Sequence, residues 1–247
     1  MNNILLSRRE VLISGAAMTL ALTGCSGSKP KSALPAGAFS GRADALRSLR
    51  SRVADTGLSY GAPLHIMAFK EEKEMELWLG QEDGTYELFE TIPICFYSGI
   101  LGPKLKEGDG QTPEGYYSVE AKDLYPNSGL HLALELNFPN RFDRQHNRTG
   151  SWIRIHGGCE SIGCFAMTDD GIETIYLLAE AALANGAPKI SVASYPFRPT
   201  ERRLAEAKDH EWYPFWRNLA GSYSFFLKNH RPPVMRAAYR RYYFTAT

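Results

Sequence analysis

The sequence has no block of like charges. Its 28 Lys and Arg against 27 Asp and Glu leave a formal net charge of +1, so the basic footprint of a nucleic-acid binder is missing and no nucleic-acid partner is expected. It also has no apolar run long enough to span a bilayer, which takes about 20 residues. The longest such run, "VLISGAAMTLALTG", has fourteen. No internal repeat is visible. Cysteine is scarce, with four residues, and the six histidines are scattered. Composition is otherwise that of a globular chain, 44% apolar, 22% charged and 12% aromatic, which excludes a disordered or low-complexity protein. At 247 residues there is room for one well-buried domain with an appended helical segment.

The fourteen-residue apolar run follows the short basic stretch "MNNILLSRRE" and ends in small residues, the pattern of an export signal. "LTGC", Leu22 to Cys25, resembles a bacterial lipobox, which implies lipidation of Cys25. "SRREVL", Ser7 to Leu12, resembles a twin-arginine signal, with Val11 in place of the usual phenylalanine. The expectation is an exported protein of the cell envelope or periplasm, tethered to a membrane through acyl chains on Cys25 with no transmembrane helix. Residues 26–39, "SGSKPKSALPAGAF", read as a flexible leash. Fully extended, it would reach about 50 Å.

Beyond the leash, Leu46, Leu49 and Val53 recur at helical spacing within 40–60, and Gly57 stops the pattern. From residue 61 strand patterns take over: "PLHIMAF", "EMELWLG", "TYELFETIPICFYSG", "YYSVEA", "LHLALELNF" and "SWIRIH". The period then switches. "TDDGIETIYLLAEAALANG" puts Ile172, Ile175, Leu178 and Ala182 on one helix face, with Thr168 or Asp169 as cap and Gly186 as stop. "PKISVASYPF" returns to strand, and "TERRLAEAKDHEWYPFWRNLAGSYSFFLKNHRPP" opens a helical carboxy-terminal extension over 200–247 whose aromatics, Trp212, Tyr213 and Trp216 among them, pack on the sheet. The fold class expected is mostly β with flanking helices: a β-rich domain over 61–199, with one helix directly after the chemistry-bearing motif.

That motif is "IHGGCESIGCF", residues 155–165. Its His156, Cys159 and Cys164 are three potential zinc ligands, but a structural zinc site takes four and no second cluster supplies one, so neither metal nor cofactor is expected. A Cys159–Cys164 disulfide would close a tight loop in an oxidising compartment. A third reading makes Cys164 a nucleophile and His156 its base, brought together by the glycines between them, with Gly163 allowing a sharp turn and the amides of Gly163 and Cys164 facing a developing oxyanion. Spacing leaves all three open. Cys95, within an apolar run, reads as a small buried hydrophobe.

Read as a whole, "IHGG…SIGCFAM" resembles the HG…SxGC signature of the YkuD-domain (ErfK/YbiS/YcfS/YhnG) L,D-transpeptidases, and "TPEGYYSV", Thr112 to Val119, resembles that family's TPxGxY/F motif. "IMAFKEEKEMELW", "FPNRFDR" and "SYPFR" add a likeness to its YafK-like subgroup, so that the resemblance runs from about Leu64 to Arg198. It implies a β-sandwich-like domain acting on peptidoglycan, in which a cysteine attacks a diaminoacyl carbonyl of the stem peptide and an amine or water takes the acyl group. Carried over, Cys164 is the nucleophile, His156 the general base and Gly157 the residue whose carbonyl orients the imidazole. Ser161, Ile162 and Gly163 line the approach and supply oxyanion donors.

Three departures from the family pattern stand out. Only eight positions separate His156 from Cys164, Ile162 replaces a common histidine, and Ala166 replaces the arginine usually found two after the cysteine, for which Arg154 is the expected substitute. Cys159 is additional and would serve as a redox partner for Cys164. The altered substrate wall leaves a hydrolase of the same linkages as the alternative, for instance one that releases a peptidoglycan-linked lipoprotein. A lipid-tethered module that binds cell wall without catalysis is a further alternative.

Overall fold

Leu64–Phe69 (β1) is buried at every position because it runs through the middle of a sheet with both faces covered. The computed structural model describes residues 39–246, all within one compact unit. The expected export signal, the lipidation site Cys25 and all but the last residue of the leash lie outside the described residues. A first helix, Arg42–Asp55 (α1), precedes β1 and buries Leu49 and Val53. β1 pairs antiparallel with Glu74–Gly80 (β2), which pairs with Tyr86–Pro93 (β3). On its other side β1 runs parallel to Ile190–Tyr195 (β10), and Gly115–Val119 (β5) closes that edge.

Alternation along the strands sends side chains to two separate cores. Leu64, Ile66 and Ala68 of β1, with Tyr117 and Val119 of β5 and Val192 of β10, enter the main core. Met67, Phe69, Tyr116, Ala193 and Tyr195 enter a second one on the opposite face. The main core is closed by a second five-stranded sheet, in the order β4-β9-β8-β7-β6. Its strands are Phe96–Tyr97 (β4), Leu124–Ser128 (β6), His131–Glu135 (β7), Arg154–His156 (β8) and Phe165–Ala166 (β9). Asp169–Ala184 (α3) packs into the same core. Thr168 Oγ1 accepts from the Gly171 amide as its cap, and Ile172, Ile175, Leu178 and Ala182 are all buried as the periodicity predicts. Each buried Ile or Leu side chain contributes about 1.5–3 kcal/mol. A short helix, Arg141–Gln145 (α2), lies between β7 and β8.

The second core is closed by the carboxy-terminal extension. Glu201–Glu206 (α4) and Tyr213–Asn229 (α5) are helical as expected, and α5 lays Leu219, Tyr223 and Phe226 against Met67, Phe69 and Tyr195. The extension then adds what periodicity did not suggest, an antiparallel hairpin of Val234–Ala238 (β11) and Arg241–Thr245 (β12), whose Tyr242 stacks on Phe142 of α2.

The cysteines correct two expectations. Cys95 is exposed rather than buried, and it is joined by a disulfide to Cys159, 64 positions away. Cys159 is therefore not the partner of Cys164, whose thiol is free.

Candidate active site

β8 and β9 run parallel, with Ile155 opposite Phe165 and His156 opposite Ala166. Parallel neighbours ordinarily need a crossover of a dozen or more residues. Here the chain leaves β8 after His156 and returns in the same direction at Phe165. Gly158 at φ +86°, Cys159 at φ +54° and Gly163 at φ +148° make that short return possible, all in a region that side chains disfavour. Cys164 directly precedes β9 and thus stands two residues before the position opposite His156. No hydrogen bond joins their side chains in this structure.

Cys164 is gripped through its backbone. Its carbonyl accepts from Thr112 Oγ1 and from Ser161 Oγ, each at 2.9 Å. Its amide and that of Gly163 both donate to Ser161 Oγ, at 2.7 and 3.1 Å. The two amides expected to face an oxyanion do converge on a single oxygen, but that oxygen is the Ser161 hydroxyl. The sulfur accepts from the Arg154 amide at 3.4 Å and lies 3.5 Å from the Trp152 carbonyl. Burial pushes the thiol above its ordinary range, opposed by the Arg154 amide and by the charges of Arg154 and Lys104.

His156 is 2% exposed. Its Nδ1 donates to the Gly157 carbonyl at 2.6 Å, the arrangement the resemblance implied. A carbonyl can only accept, so the neutral ring carries its proton on Nδ1 and leaves Nε2 bare. Burial holds the imidazole below the ordinary histidine range and the Arg154 charge adds to this, while the Gly157 carbonyl works the other way. Both shifts favour the uncharged forms, thiol and imidazole. Gly157 has no room for a side chain: a Cβ there would meet Asp169 Oδ1 at 2.5 Å and the Leu130 carbonyl at 3.0 Å.

Arg154, the expected substitute for the family's arginine, has its amide against the Cys164 sulfur, and its side chain is not free. Its Nε and Nη2 both donate to Glu135 Oε2, at 3.0 and 2.9 Å. Its guanidinium lies 4.1 Å from the ring centre of Tyr125 and 4.7 Å from that of Trp152. Trp152 is itself 64% exposed, with φ +58°. Ile162, expected on the approach to Cys164 and among the substrate or oxyanion residues, is 91% exposed. Its side chain has no donor to offer, and its amide is not among those bound to Ser161.

Two features were not read from sequence as parts of the site. One lies beneath Thr112. Lys70, at the end of β1, is 0% exposed and donates to the carbonyls of Ile100, Gly102 and Thr112 and to Glu114 Oε1, at 2.9 to 3.1 Å. Glu114 also accepts from the Gly102 amide and from Trp216 Nε1 of α5, at 2.7 Å each, so Trp216 is a core residue tied to the site's floor. The TPEG motif carried this signal in its Glu114. The other is the Cys95–Cys159 bond. Once Cys25 and Cys164 are given other roles, an even pair of cysteines remains in a chain read as exported, and that was the available clue.

Residues 65–192 match the model of the YkuD family, the L,D-transpeptidase catalytic domain. The chain is 40% identical over 182 residues to the "Putative L,D-transpeptidase YafK" of Escherichia coli (strain K12), covering 74% of each chain. Among solved structures it is similar to the helical cell shape determining protein Pgp2 from Campylobacter jejuni in its K307A form, with 18% identity, a TM-score of 0.45, and coverage of 74% of this chain and 68% of that one. Bd1075 of Bdellovibrio bacteriovorus is similar at 17% identity and a TM-score of 0.39, covering 72% of this chain and 77% of that one. With a family match spanning more than half its length and a relative 40% identical over 74% of each chain, the chain belongs to the YkuD L,D-transpeptidase family.

Proposed function

We propose that this protein is a cysteine L,D-transpeptidase that forms an acyl-enzyme on Cys164 at a diaminoacyl residue of the peptidoglycan stem peptide. The observation that carries the reading is the tautomer of His156. With Nδ1 pinned to the Gly157 carbonyl, the bare Nε2 is the atom left to take a proton, and the free thiol of Cys164 directly precedes β9, the strand paired with the one that carries His156. His156 is neutral at neutral pH, so it can accept the thiol proton as sulfur attacks the carbonyl carbon. Collapse of the tetrahedral adduct expels the amine of the terminal residue, which takes that proton from His156, and the acyl group stays on sulfur. A second amine attacks the thioester, loses its proton to His156 and leaves with the acyl group, and the proton returns to the Cys164 sulfur. Ser161 fixes the backbone on both sides of the nucleophile, and Arg154 lowers the cost of negative charge on sulfur.

Hydrolysis of the same linkages, including release of a lipoprotein attached to peptidoglycan, differs only in that water resolves the thioester. The observation that favours keeping it is the open rim at Ile162 and Trp152 beside the thiol. Export and tethering to a membrane through Cys25 fit this substrate and complete the proposal.

The test incubates purified protein with isolated sacculi, some carrying covalently bound lipoprotein, and identifies the muropeptides by mass spectrometry beside a Cys164→Ala control. New diaminoacyl cross-links or exchanged terminal residues, absent with the variant, establish the transpeptidase. Shortened stems or released lipoprotein without new bonds establish the hydrolase. Identical products from both proteins would overturn either enzymatic reading and leave a binding module.

A further inference from the structure

The short return from β8 to β9 is bonded covalently to the other strand that flanks the nucleophile. Cys159 lies within that return and holds a left-handed backbone conformation at φ +54°. Cys95 directly precedes β4, which pairs antiparallel with β9 through Phe96–Ala166 and Tyr97–Phe165. The same segment continues to Ser98, whose amide donates to Thr112 Oγ1 at 3.1 Å and whose carbonyl accepts from the Thr112 amide at 3.0 Å. Thr112 in turn holds the Cys164 carbonyl. Cys164 therefore sits inside a ring of chain whose two sides, the glycine-rich return and the β4–Thr112 segment, are joined at one end by the Cys95–Cys159 bond.

Apart from the Gly157 amide, bound to the Leu130 and Leu132 carbonyls, and the Ser161 and Thr112 hydroxyls at the Cys164 end, the return has few ties. The Cys159 amide donates to the Met167 carbonyl at a long 3.3 Å, the Gly158 amide donates to Asp169 Oδ1 at 3.1 Å, and Gly158, Glu160 and Ile162 are exposed. The return contributes no side chain to any of the hydrophobic cores. A segment with few apolar contacts and exposed backbone bonds belongs to the low-stability end of a structure.

We infer that the Cys95–Cys159 disulfide is a positioning element for Cys164 and His156, so that the site is assembled in the oxidised protein and loosened in the reduced one while the rest of the fold stands. This rests on Cys164 being the nucleophile, and it adds a dependence on thiol redox state to that site. Cys95 is exposed, so a dithiol reductant can reach it. One thiolate of the reductant attacks the Cys95 sulfur and Cys159 leaves as a thiolate. The second thiol of the reductant then displaces Cys95, so the reductant closes to a cyclic disulfide and the protein gains two electrons and two protons as two thiols. Cys164 takes no part in the exchange. The consequence is contrary to that of an ordinary thiol enzyme: reductant lowers activity.

The experiment compares the full chain before and after dithiothreitol with a Cys95→Ser/Cys159→Ser variant. Turnover on muropeptides, circular dichroism and the pH dependence of Cys164 alkylation by iodoacetamide are followed, and peptide mapping locates the label. The expected result is a fall in kcat of about tenfold to a hundredfold on reduction, with KM changed by less than about twofold. Reoxidation restores it, and the variant stays low and indifferent to dithiothreitol. The alkylation profile of Cys164 moves down towards that of a free thiol as its enclosure relaxes. Equal kcat, KM and alkylation profiles once Cys95 and Cys159 are shown to be labelled would overturn the inference. So would loss of the circular dichroism spectrum on reduction, because the bond would then be a staple for the whole fold; that criterion also decides the case if the variant does not fold. The alkylation profile needs no substrate. A redox-sensitive profile in a protein without turnover would sink the enzymatic reading and leave the clamp standing.

Discussion

Cys164 is held from two sides by opposite means. On the buried side, Thr112 grips its carbonyl and is itself held by Lys70, whose ammonium has four acceptors and no exposure. On the solvent side, the Gly157–Gly163 return is held by a disulfide and by the Ser161 hydroxyl, with almost no apolar burial. A buried ion pair cannot adjust without large cost, whereas a cross-linked loop can be released by chemistry that leaves the core alone. The contrast locates rigidity under Cys164 and adjustability above it. Substitutions below should therefore cost stability first, and substitutions above should cost activity first.

The largest effect is expected at Lys70. Lys70→Met leaves the Glu114 carboxylate buried with only the Gly102 amide and Trp216 Nε1 as donors, and stability should fall by about 3–5 kcal/mol, read as a drop in denaturant midpoint. Pairing it with Glu114→Gln removes the stranded charge and should recover part of that loss. If the single variant melts with the wild type, the floor of the site is not a rigid element and the contrast fails.

Acid should act on the second core. His65 of β1, buried against Tyr116 and Phe226, is pushed by burial to about 3. The unfolded chain binds a proton at about 6.5 that the folded chain refuses, so stability should fall as pH drops through that value and should be unaffected above it. Between pH 7 and 5 the loss from this residue is about 2 kcal/mol. A His65→Gln variant should show a shallower decline over the same interval, and an equal slope would remove His65 as its source. The Cys164–His156 pair behaves differently. Turnover should hold through neutral pH and fall only as His156 takes its proton, below the ordinary histidine range.

A smaller effect tests the link between the two sides. Thr112→Val removes the hydroxyl from the Cys164 carbonyl and strands the Ser98 amide, which costs stability of about 1–2 kcal/mol. It should lower kcat about tenfold through misplacement of the nucleophile, with KM little changed. A fall in stability without a change in kcat would make Thr112 part of the fold only.

How far all this can be read from sequence follows the same division. α3 announces itself because sixteen residues repeat a 3.6-residue period and carry their own cap, and β1, β2 and β10 because their apolar runs match sheet length. His156, Gly157 and Cys164 are legible as one motif. β4 and β9, two residues each, have no local pattern. They exist only through register with partners far along the chain, and so does the pairing of Cys95 with Cys159. The β11–β12 hairpin is hidden because its stretch mixes Arg and Tyr on a half-exposed surface with no clean alternation. Lys70 looks like a surface lysine at the end of a strand until the loop around Gly102 folds over it.

The smallest expected change separates stability from substrate contact at the rim. Ile162 is 91% exposed, so folding has gained almost nothing by burying it, and Ile162→Ala should leave the denaturant midpoint within about 0.5 kcal/mol of wild type. Its place two residues before Cys164, on the same open rim as Trp152, puts an apolar surface where a stem peptide would lie. Contact that is equal in the bound and transition states raises KM when removed and leaves kcat alone, and a KM increase of about threefold or less is what a truncated, part-covered side chain supplies. A drop in kcat with KM unchanged would mean that Ile162 shapes the return itself, and the solvent side would then be stiffer than its hydrogen bonds indicate.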